Sequence, residues 1–296
     1  MPASRVLPFI PFRNPVFGVF SAGLNPRYPG VAMNVVFTDL DGTLLHPRTY
    51  SFDAAEPALS ALRRENAPLV LCTGKTRAEV ELWRERLDIA HPFIVENGGA
   101  VYIPRGYFPF AAGKTIQRDG YDVMEFGTPY LELVLALKEA ASETDCAVLG
   151  FHEMTLVDIC LRTSLPVSQA QLAKRREYDE PFEILGSGTH TLLAAIERRG
   201  KRWTRGNHFY HVTGANDKAV AVRYLTKLYR RAFGSVQTIG VGDGHNDAEF
   251  LNAVEMPMIV RSRFAIALKL AVPRGYVTSA SGPHGWSEAI LQLLAA

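Results

Sequence analysis

The stretch Val35-Val36-Phe37-Thr38-Asp39-Leu40-Asp41-Gly42-Thr43 constrains the fold more than any other, because an apolar strand there runs into a glycine-containing turn bearing two carboxylates. On an extended segment residues i and i+2 share a face. Gly42 lets the chain swing, so that one carboxylate can attack phosphorus while the other handles a proton. Thr43 adds a hydroxyl to the loop. An Asx turn at a strand end accounts for either aspartate alone, so this string by itself leaves both readings open.

Three further segments narrow the choice. Leu69-Val70-Leu71-Cys72 predicts a short buried parallel strand that delivers the Thr73 hydroxyl at its carboxyl end, as a donor to phosphate oxygen. Gly214-Ala215-Asn216-Asp217-Lys218 precedes a helical pattern with Val222, Leu225, Leu228, Tyr229 and Ala232 on one face, which puts Lys218 in the first turn. A cation is disfavoured at that end of a helix, so Lys218 has a task there other than helix stability. Thr238-Ile239-Gly240-Val241-Gly242-Asp243-Gly244-His245-Asn246-Asp247 reads as a third strand ending in a loop with two more carboxylates. Hard oxygen ligands clustered at a strand end suit Mg²⁺.

Together these segments resemble the haloacid dehalogenase superfamily of phosphatases, whose ordered motifs are DxDGT, a Ser or Thr after a strand, a Lys, and GDxxND. All four occur here in that order. The resemblance implies an α/β fold, a Rossmann-like parallel-sheet core with an inserted α+β cap, and functional groups outside the carboxyl ends of the strands. It implies Asp39 as nucleophile, through an aspartyl-phosphate. Asp41 is the implied acid and base, and Thr73 and Lys218 hold the non-bridging oxygens. Mg²⁺ would be held by Asp39, Asp243 and the Asp41 carbonyl, with Asn246 and Asp247 orienting Lys218 and metal-bound water. His245 occupies a variable family position and reads as a loop residue.

Composition agrees with a soluble enzyme of small molecules. With 296 residues, 47% of them hydrophobic, the chain can bury a substantial core. A formal net charge of +2, with Lys and Arg dispersed among acids, argues against a nucleic-acid partner. No apolar run is long enough to cross a bilayer. Cys72, Cys146 and Cys160 follow no metal spacing, and Cys72 and Cys160 read as buried thiols of a reducing compartment, the cytoplasm. The expected assembly is a monomer or homodimer.

Residues 1–32 show no strand or helix period and read as a disordered extension or an upstream start-site artefact; Met33 stands where chains of the resembled superfamily usually begin. Between the first two motifs there is room for one helix, about Asp53 to Asn66. A second helix opens on a capping box, Thr76 with Glu79. Phe93-Ile94-Val95 and Val101-Tyr102-Ile103 pair as a hairpin. The expected core is therefore 33–112 with 209–296, and the expected cap is 113–208, the position of the large cap in this superfamily.

A narrower resemblance rests on Leu71-Cys72-Thr73-Gly74-Lys75-Thr76-Arg77-Ala78-Glu79, Pro92-Phe93-Ile94-Val95-Glu96-Asn97-Gly98-Gly99-Ala100, Arg176-Glu177-Tyr178-Asp179-Glu180 and Phe209-Tyr210-His211, which look like the mannosyl-3-phosphoglycerate phosphatase family. It implies release of phosphate from a phosphorylated sugar-glycerate, with Lys75, Asn97, Gly98, Arg176 and His208 lining the substrate cleft. The family often has Arg where this chain has His208, and imidazole cannot reproduce the bidentate guanidinium fork. Arg176 is expected to meet the glycerate carboxylate; an exposed charge run is the alternative for residues 176–180. Another sugar phosphate, such as glucosyl-3-phosphoglycerate or a disaccharide phosphate, remains the alternative substrate. A catalytically silent sugar-phosphate sensor is disfavoured by the intact Asp39, Asp41, Lys218 and Asp243.

Overall fold

The computed structural model describes residues 32–206 and 208–295. In chain order the elements are β1 (Met33–Thr38), α1 (Glu56–Glu65), β2 (Leu69–Cys72), α2 (Arg77–Arg86), β3 (Phe93–Val95), β4 (Ala100–Pro104), β5 (Ile116–Arg118), β6 (Tyr121–Glu125), α3 (Tyr130–Thr144), β7 (Val148–Gly150), α4 (Leu156–Thr163), α5 (Val167–Ala173), β8 (Asp179–Ile184), α6 (Thr189–Arg198), β9 (Arg202–Arg205), β10 (Tyr210–Thr213), α7 (Lys218–Phe233), β11 (Val236–Gly242), α8 (Ala248–Ala253), β12 (Met256–Arg261), α9 (Ala265–Ala271), β13 (Tyr276–Ser281) and α10 (Gly282–Leu294). The reading of residues 1–32 falls, apart from Ala32, outside the described residues.

Among the described residues, nine strands form the large sheet in the order β13-β12-β11-β1-β2-β3-β4-β6-β5, parallel from β13 to β3 and antiparallel beyond. Its central strands are apolar without alternation because both faces are covered. Val36 of β1 packs with Leu59, Leu62, Trp83, Trp286 and Ile290 from α1, α2 and α10. Val35 and Phe37, on the opposite face, pack with Val222, Leu225, Phe250 and Leu268 from α7, α8 and α9. The Thr76–Glu79 capping box opens α2 as expected, the Thr76 hydroxyl accepting from Glu79 N and the Glu79 carboxylate from Thr76 N. Asp217 caps α7 by accepting from Val220 N at 2.8 Å.

A second, antiparallel sheet, β7-β8-β10-β9, carries α3 and α6 on one face over a core that includes Leu133, Leu137, Phe182, Leu192 and Ile196. The α4–α5 pair packs with Phe151 and Phe209 between this sheet and the large one.

The boundaries drawn from sequence shift. The hairpin β5–β6 extends the large sheet, because β4 needs a partner on its outer edge and β6 supplies it from Ala100↔Glu125 to Pro104↔Tyr121. Strand β10, placed in the core by sequence, pairs with β8 and β9 in the cap sheet. Cys72 and Cys146 are buried, whereas Cys160 is only half-buried, and all three are free thiols. No described helix is long and apolar enough to cross a membrane.

Candidate active site

Strands β11, β1 and β2 are neighbours in parallel register, so their carboxyl ends deliver Asp243, Asp39 and Thr73 to one edge of the sheet. The amino end of α7 meets them there. Lys218 is fully buried, and its Nζ donates to Asp39 Oδ1 at 2.8 Å and to Asp247 Oδ1 at 2.7 Å. This explains a lysine in the first turn of a helix: two carboxylates outweigh the unfavourable dipole. Burial works against the ammonium, but Asp247 and Asp39 hold its pKa above the ordinary lysine value.

Asp39 is pushed up to about 7 by burial, with Lys218 opposing and Asp247 and Asp41 adding repulsion. Asp243 rises well above the usual carboxylate range for the same reasons, burial first and then Asp247 and Asp39. Asp39, Asp243 and Asp247 each present an oxygen within 4.8 Å of the others. Three buried carboxylates thus face one ammonium, and the net negative charge of this hard-oxygen set is what a divalent cation neutralises. Asp247 is committed: Oδ1 accepts from Lys218, and Oδ2 accepts from the Asp243 and Gly244 amides at 3.0 and 2.9 Å. Asp39 and Asp243 each spend one oxygen on such bonds, the latter on the Thr43 hydroxyl at 2.8 Å. Each therefore keeps a second oxygen for an ion, and the residues fit Mg²⁺.

Asp41 stands half-buried at the cleft floor, with Lys75 Nζ at 2.9 Å from its Oδ2. Lys75 is itself buried, lies 3.5 Å from Glu79 Oε1 and sits over the Tyr50 ring. Burial opposes its charge, yet Asp41 and Glu79 together raise its pKa. A cavity of about 120 Å³ opens between the core edge and the cap, with Asp39, Asp41, Thr73, Lys75, Asp243 and Asn246 on the core side and Arg176, His208 and His211 on the cap side.

Two residues read as cleft-lining lie outside that lining, and each has a local reason. Asn97 has left-handed backbone, φ 54°, and turns behind the cleft. There its Oδ1 accepts from Asn246 at 3.1 Å while its Nδ2 donates to Asp179 at 2.6 Å. At Gly98, φ 86°, a β-carbon would come within 2.1 Å of the Asp217 carbonyl oxygen, so this glycine seats the start of α7 against the core.

Arg176 reaches the cleft wall but is committed elsewhere. Its Nε donates to the Asp179 carbonyl and its Nη2 to the Gly74 carbonyl, both at 3.0 Å, and Nη2 also pairs with Asp179 Oδ1 at 2.9 Å. Glu96 lies 3.6 Å from its Nε and accepts the Glu177 and Tyr178 amides. Arg176 thus ties the cap to the loop after β2, and the alternative reading of 176–180 as an exposed charge run fails because Arg176, Tyr178, Asp179 and Glu180 are buried. His208 is exposed at the rim, and His245, also exposed, packs its ring 4.7 Å from that of Phe264.

Sequence reasoning missed several residues around this edge. Trp286 of α10 donates to Thr38 Oγ1 at 2.9 Å and steadies the strand before Asp39. Tyr50 donates to the Thr163 carbonyl at 2.7 Å, joining the loop after Asp41 to the cap. Asp179 and His211 pair within the cap. Nothing local to Asp179 or His211 named its partner.

A parallel sheet with carboxylates at its central strand ends, a buried lysine across from them and a lid inserted between the second and third motifs define a haloacid dehalogenase-like hydrolase; the family of that description matches residues 36–122, and the chain belongs to it. It is a phosphoric monoester hydrolase. The chain is similar to the glucosyl-3-phosphoglycerate/mannosyl-3-phosphoglycerate phosphatase of Methanococcoides burtonii, 38% identical over 88% of this chain and 97% of that one. It is similar also to the mannosyl-3-phosphoglycerate phosphatase of Pyrococcus furiosus, 38% identical over 77% of this chain and 91% of the relative. Among solved structures, the sucrose-phosphatase of Synechocystis in complex with sucrose and phosphate shares the fold, with a TM-score of 0.58 at 15% identity over 88% of this chain and 98% of that one.

Proposed function

We propose that the enzyme removes phosphate from mannosyl-3-phosphoglycerate by a two-step transfer through Asp39. The observation that carries the chemistry is the buried Asp39–Lys218–Asp247 arrangement beside Asp243 at the floor of the cap-covered cleft. Support for the substrate comes from the names of relatives 34–38% identical over most of the chain. The glucosyl ester is a second reading, favoured by the two-sugar names of the Methanococcoides burtonii and Persephonella marina relatives.

Asp39 attacks phosphorus through its carboxylate, forming an acyl-phosphate as the bond to the alkoxide breaks. Asp41 gives its proton to that departing oxygen and later takes one from the water that hydrolyses the acyl-phosphate. Lys75 fixes the orientation of the Asp41 carboxyl from 2.9 Å. The Thr73 hydroxyl and the Lys218 ammonium face the non-bridging oxygens, where negative charge spreads in the transition state. Asp39, Asp243 and the Asp41 carbonyl would hold Mg²⁺, which would supply charge neutralisation and phosphate orientation. Asn246 and Asp247 position the groups around it. The cap excludes water from the closed cleft.

The same reading makes the enzyme cytoplasmic, a monomer or homodimer acting on a small molecule, with a core of residues 33–126 and 214–295 and a cap between them. A panel of sugar phosphates assayed for phosphate release with Mg²⁺ and with chelator tests it. The mannosyl ester should give the highest kcat/KM, and release only with metal. A higher value for an unrelated hexose phosphate would overturn the substrate assignment.

A further inference from the structure

The cap side of the cleft is largely apolar, with Phe151, Leu165, Pro181 and Phe209 along it, and Arg176 is already paired within the protein. His211 is different. Its Nδ1 lies 2.8 Å from Asp179 Oδ1 and 3.1 Å from Oδ2. Asp179 is fully buried on β8 and also receives Arg176 Nη2 at 2.9 Å and Asn97 Nδ2 at 2.6 Å. Burial works against the Asp179 charge, but His211, Arg176 and Asn97 together hold its pKa below the ordinary value, so it accepts and does not donate. The hydrogen between His211 and Asp179 therefore sits on Nδ1, which leaves Nε2 as the ring nitrogen turned away from that pair.

Gly206 lies beside that nitrogen. A β-carbon there would stand 3.1 Å from His211 Nε2. Gly206 is not among the glycines with positive φ, so its backbone does not require glycine. What glycine provides is open space beside Nε2, and both residues line the cleft. The phosphate end of the substrate is fixed on the opposite, core side, so what meets the cap is the leaving group.

We propose that His211, oriented by Asp179, is a specificity-determining residue whose Nε2 hydrogen-bonds a hydroxyl of the leaving group, so that polyhydroxylated phosphate esters are favoured over bare ones. This rests on the phosphatase reading above and adds the group that selects among its substrates. Asn97 links the pair to Asn246 at the metal-binding edge, so the recognition group and the catalytic loop share one hydrogen-bonded frame.

The test compares kcat/KM for mannosyl-3-phosphoglycerate and for p-nitrophenyl phosphate in the wild type, His211→Ala and Gly206→Ala. His211→Ala should lose about tenfold or more on the sugar ester and less than about threefold on the aryl ester, since the latter has no hydroxyl to offer. Gly206→Ala, which leaves the Asp179–His211 pair in place and crowds Nε2, should show the same selective loss in smaller measure. Should His211→Ala fail to fold, Gly206→Ala and the Nε2 nitrogen resonance of His211 in wild-type enzyme carry the test. That resonance should move when mannosylglycerate is added. Equal losses on both esters, or a resonance that stays put at saturating mannosylglycerate, would overturn the assignment. If the wild type prefers another sugar phosphate, the substrate reading fails separately, and the same comparison is run with that ester.

Discussion

The carboxyl edge of the core sheet and the cap wall opposite it are both crowded with buried charge, but they balance it differently. At the core edge Asp39, Asp243 and Asp247 share one ammonium, and burial drives the Asp39 and Asp243 pKa values upward. In the cap, Asp179 receives a guanidinium, an imidazole and an amide, and Arg176 is further satisfied by two carbonyls. The first set carries more negative charge than its one ammonium balances, which suits a cation; in the second, Asp179 and Arg176 find their partners within the chain. Buried charge thus marks a ligand site where donors and acceptors are mismatched in number, and marks an architectural joint where they match.

The sharpest way to break this contrast is Asp39→Asn. Phosphate release should fall below about one per cent of wild type, because an amide of the same shape is not a nucleophile. In chelator the variant should melt no lower than wild type, since one of three repelling carboxylates has gone. A metal-free variant that melts well below wild type would place Asp39 in the balanced class instead.

Removing the metal comes next. Chelation should reduce turnover by about two orders of magnitude and lower the melting temperature of the wild type. In Asp243→Asn both responses to Mg²⁺ should be largely lost. A variant that keeps the full thermal response to Mg²⁺ would put the ion elsewhere.

Arg176→Ala probes the balanced set. Cutting one partner from a buried ionic cluster should cost about 3–5 kcal/mol of stability. Its kcat/KM should drop by similar factors on mannosyl-3-phosphoglycerate and p-nitrophenyl phosphate, since the side chain holds the cap to Gly74 and does not reach for a carboxylate. A loss confined to the sugar ester would restore the reading of Arg176 as a glycerate grip.

The last test falls on Glu96, which lies against the same guanidinium. Burial pushes its carboxyl from 4.5 up to about 8, against Arg176 and the two cap amides. A folded-state pKa above the unfolded one means that the folded protein holds the proton more tightly, so the contribution to stability is complete below about pH 4.5 and is lost as pH rises through about 8. Glu96→Gln, which cannot ionise, should flatten the pH dependence of the melting temperature between these limits. Parallel profiles for wild type and variant would show that Glu96 does not titrate there.

The core edge was legible in the sequence because each of its groups sits at the end of a short apolar strand or in the first turn of a patterned helix, and type and position are both local. Asp39, Thr73, Lys218 and Asp243 arrive together because β1, β2 and β11 are sheet neighbours, which a run of alternating strands and helices predicts. What stayed hidden is long-range. Thr43 meets Asp243 200 residues away, and Asn97 meets Asp179 82 away, and no local pattern encodes either pairing. The cap boundaries slipped for a related reason: β5 is mostly exposed and carries little apolar signal, so its place on the large sheet comes from β6 and not from its own composition.

Trp286 reaches back across 248 residues to the hydroxyl of Thr38, next to Asp39. On a ribosome, therefore, the strand that bears this aspartate is made early but lacks one of its tethers until α10 has emerged. The cap is one uninterrupted stretch of chain with an apolar centre of its own, around Leu137, Phe182 and Ile196. It can acquire structure while three of the nine strands of the large sheet, β11, β12 and β13, have yet to be synthesised. Vectorial synthesis would then complete the lid before the vessel, and hydrolytic competence would come late, when α7, β11 and α10 add Lys218, Asp243 and the indole to a scaffold already covered.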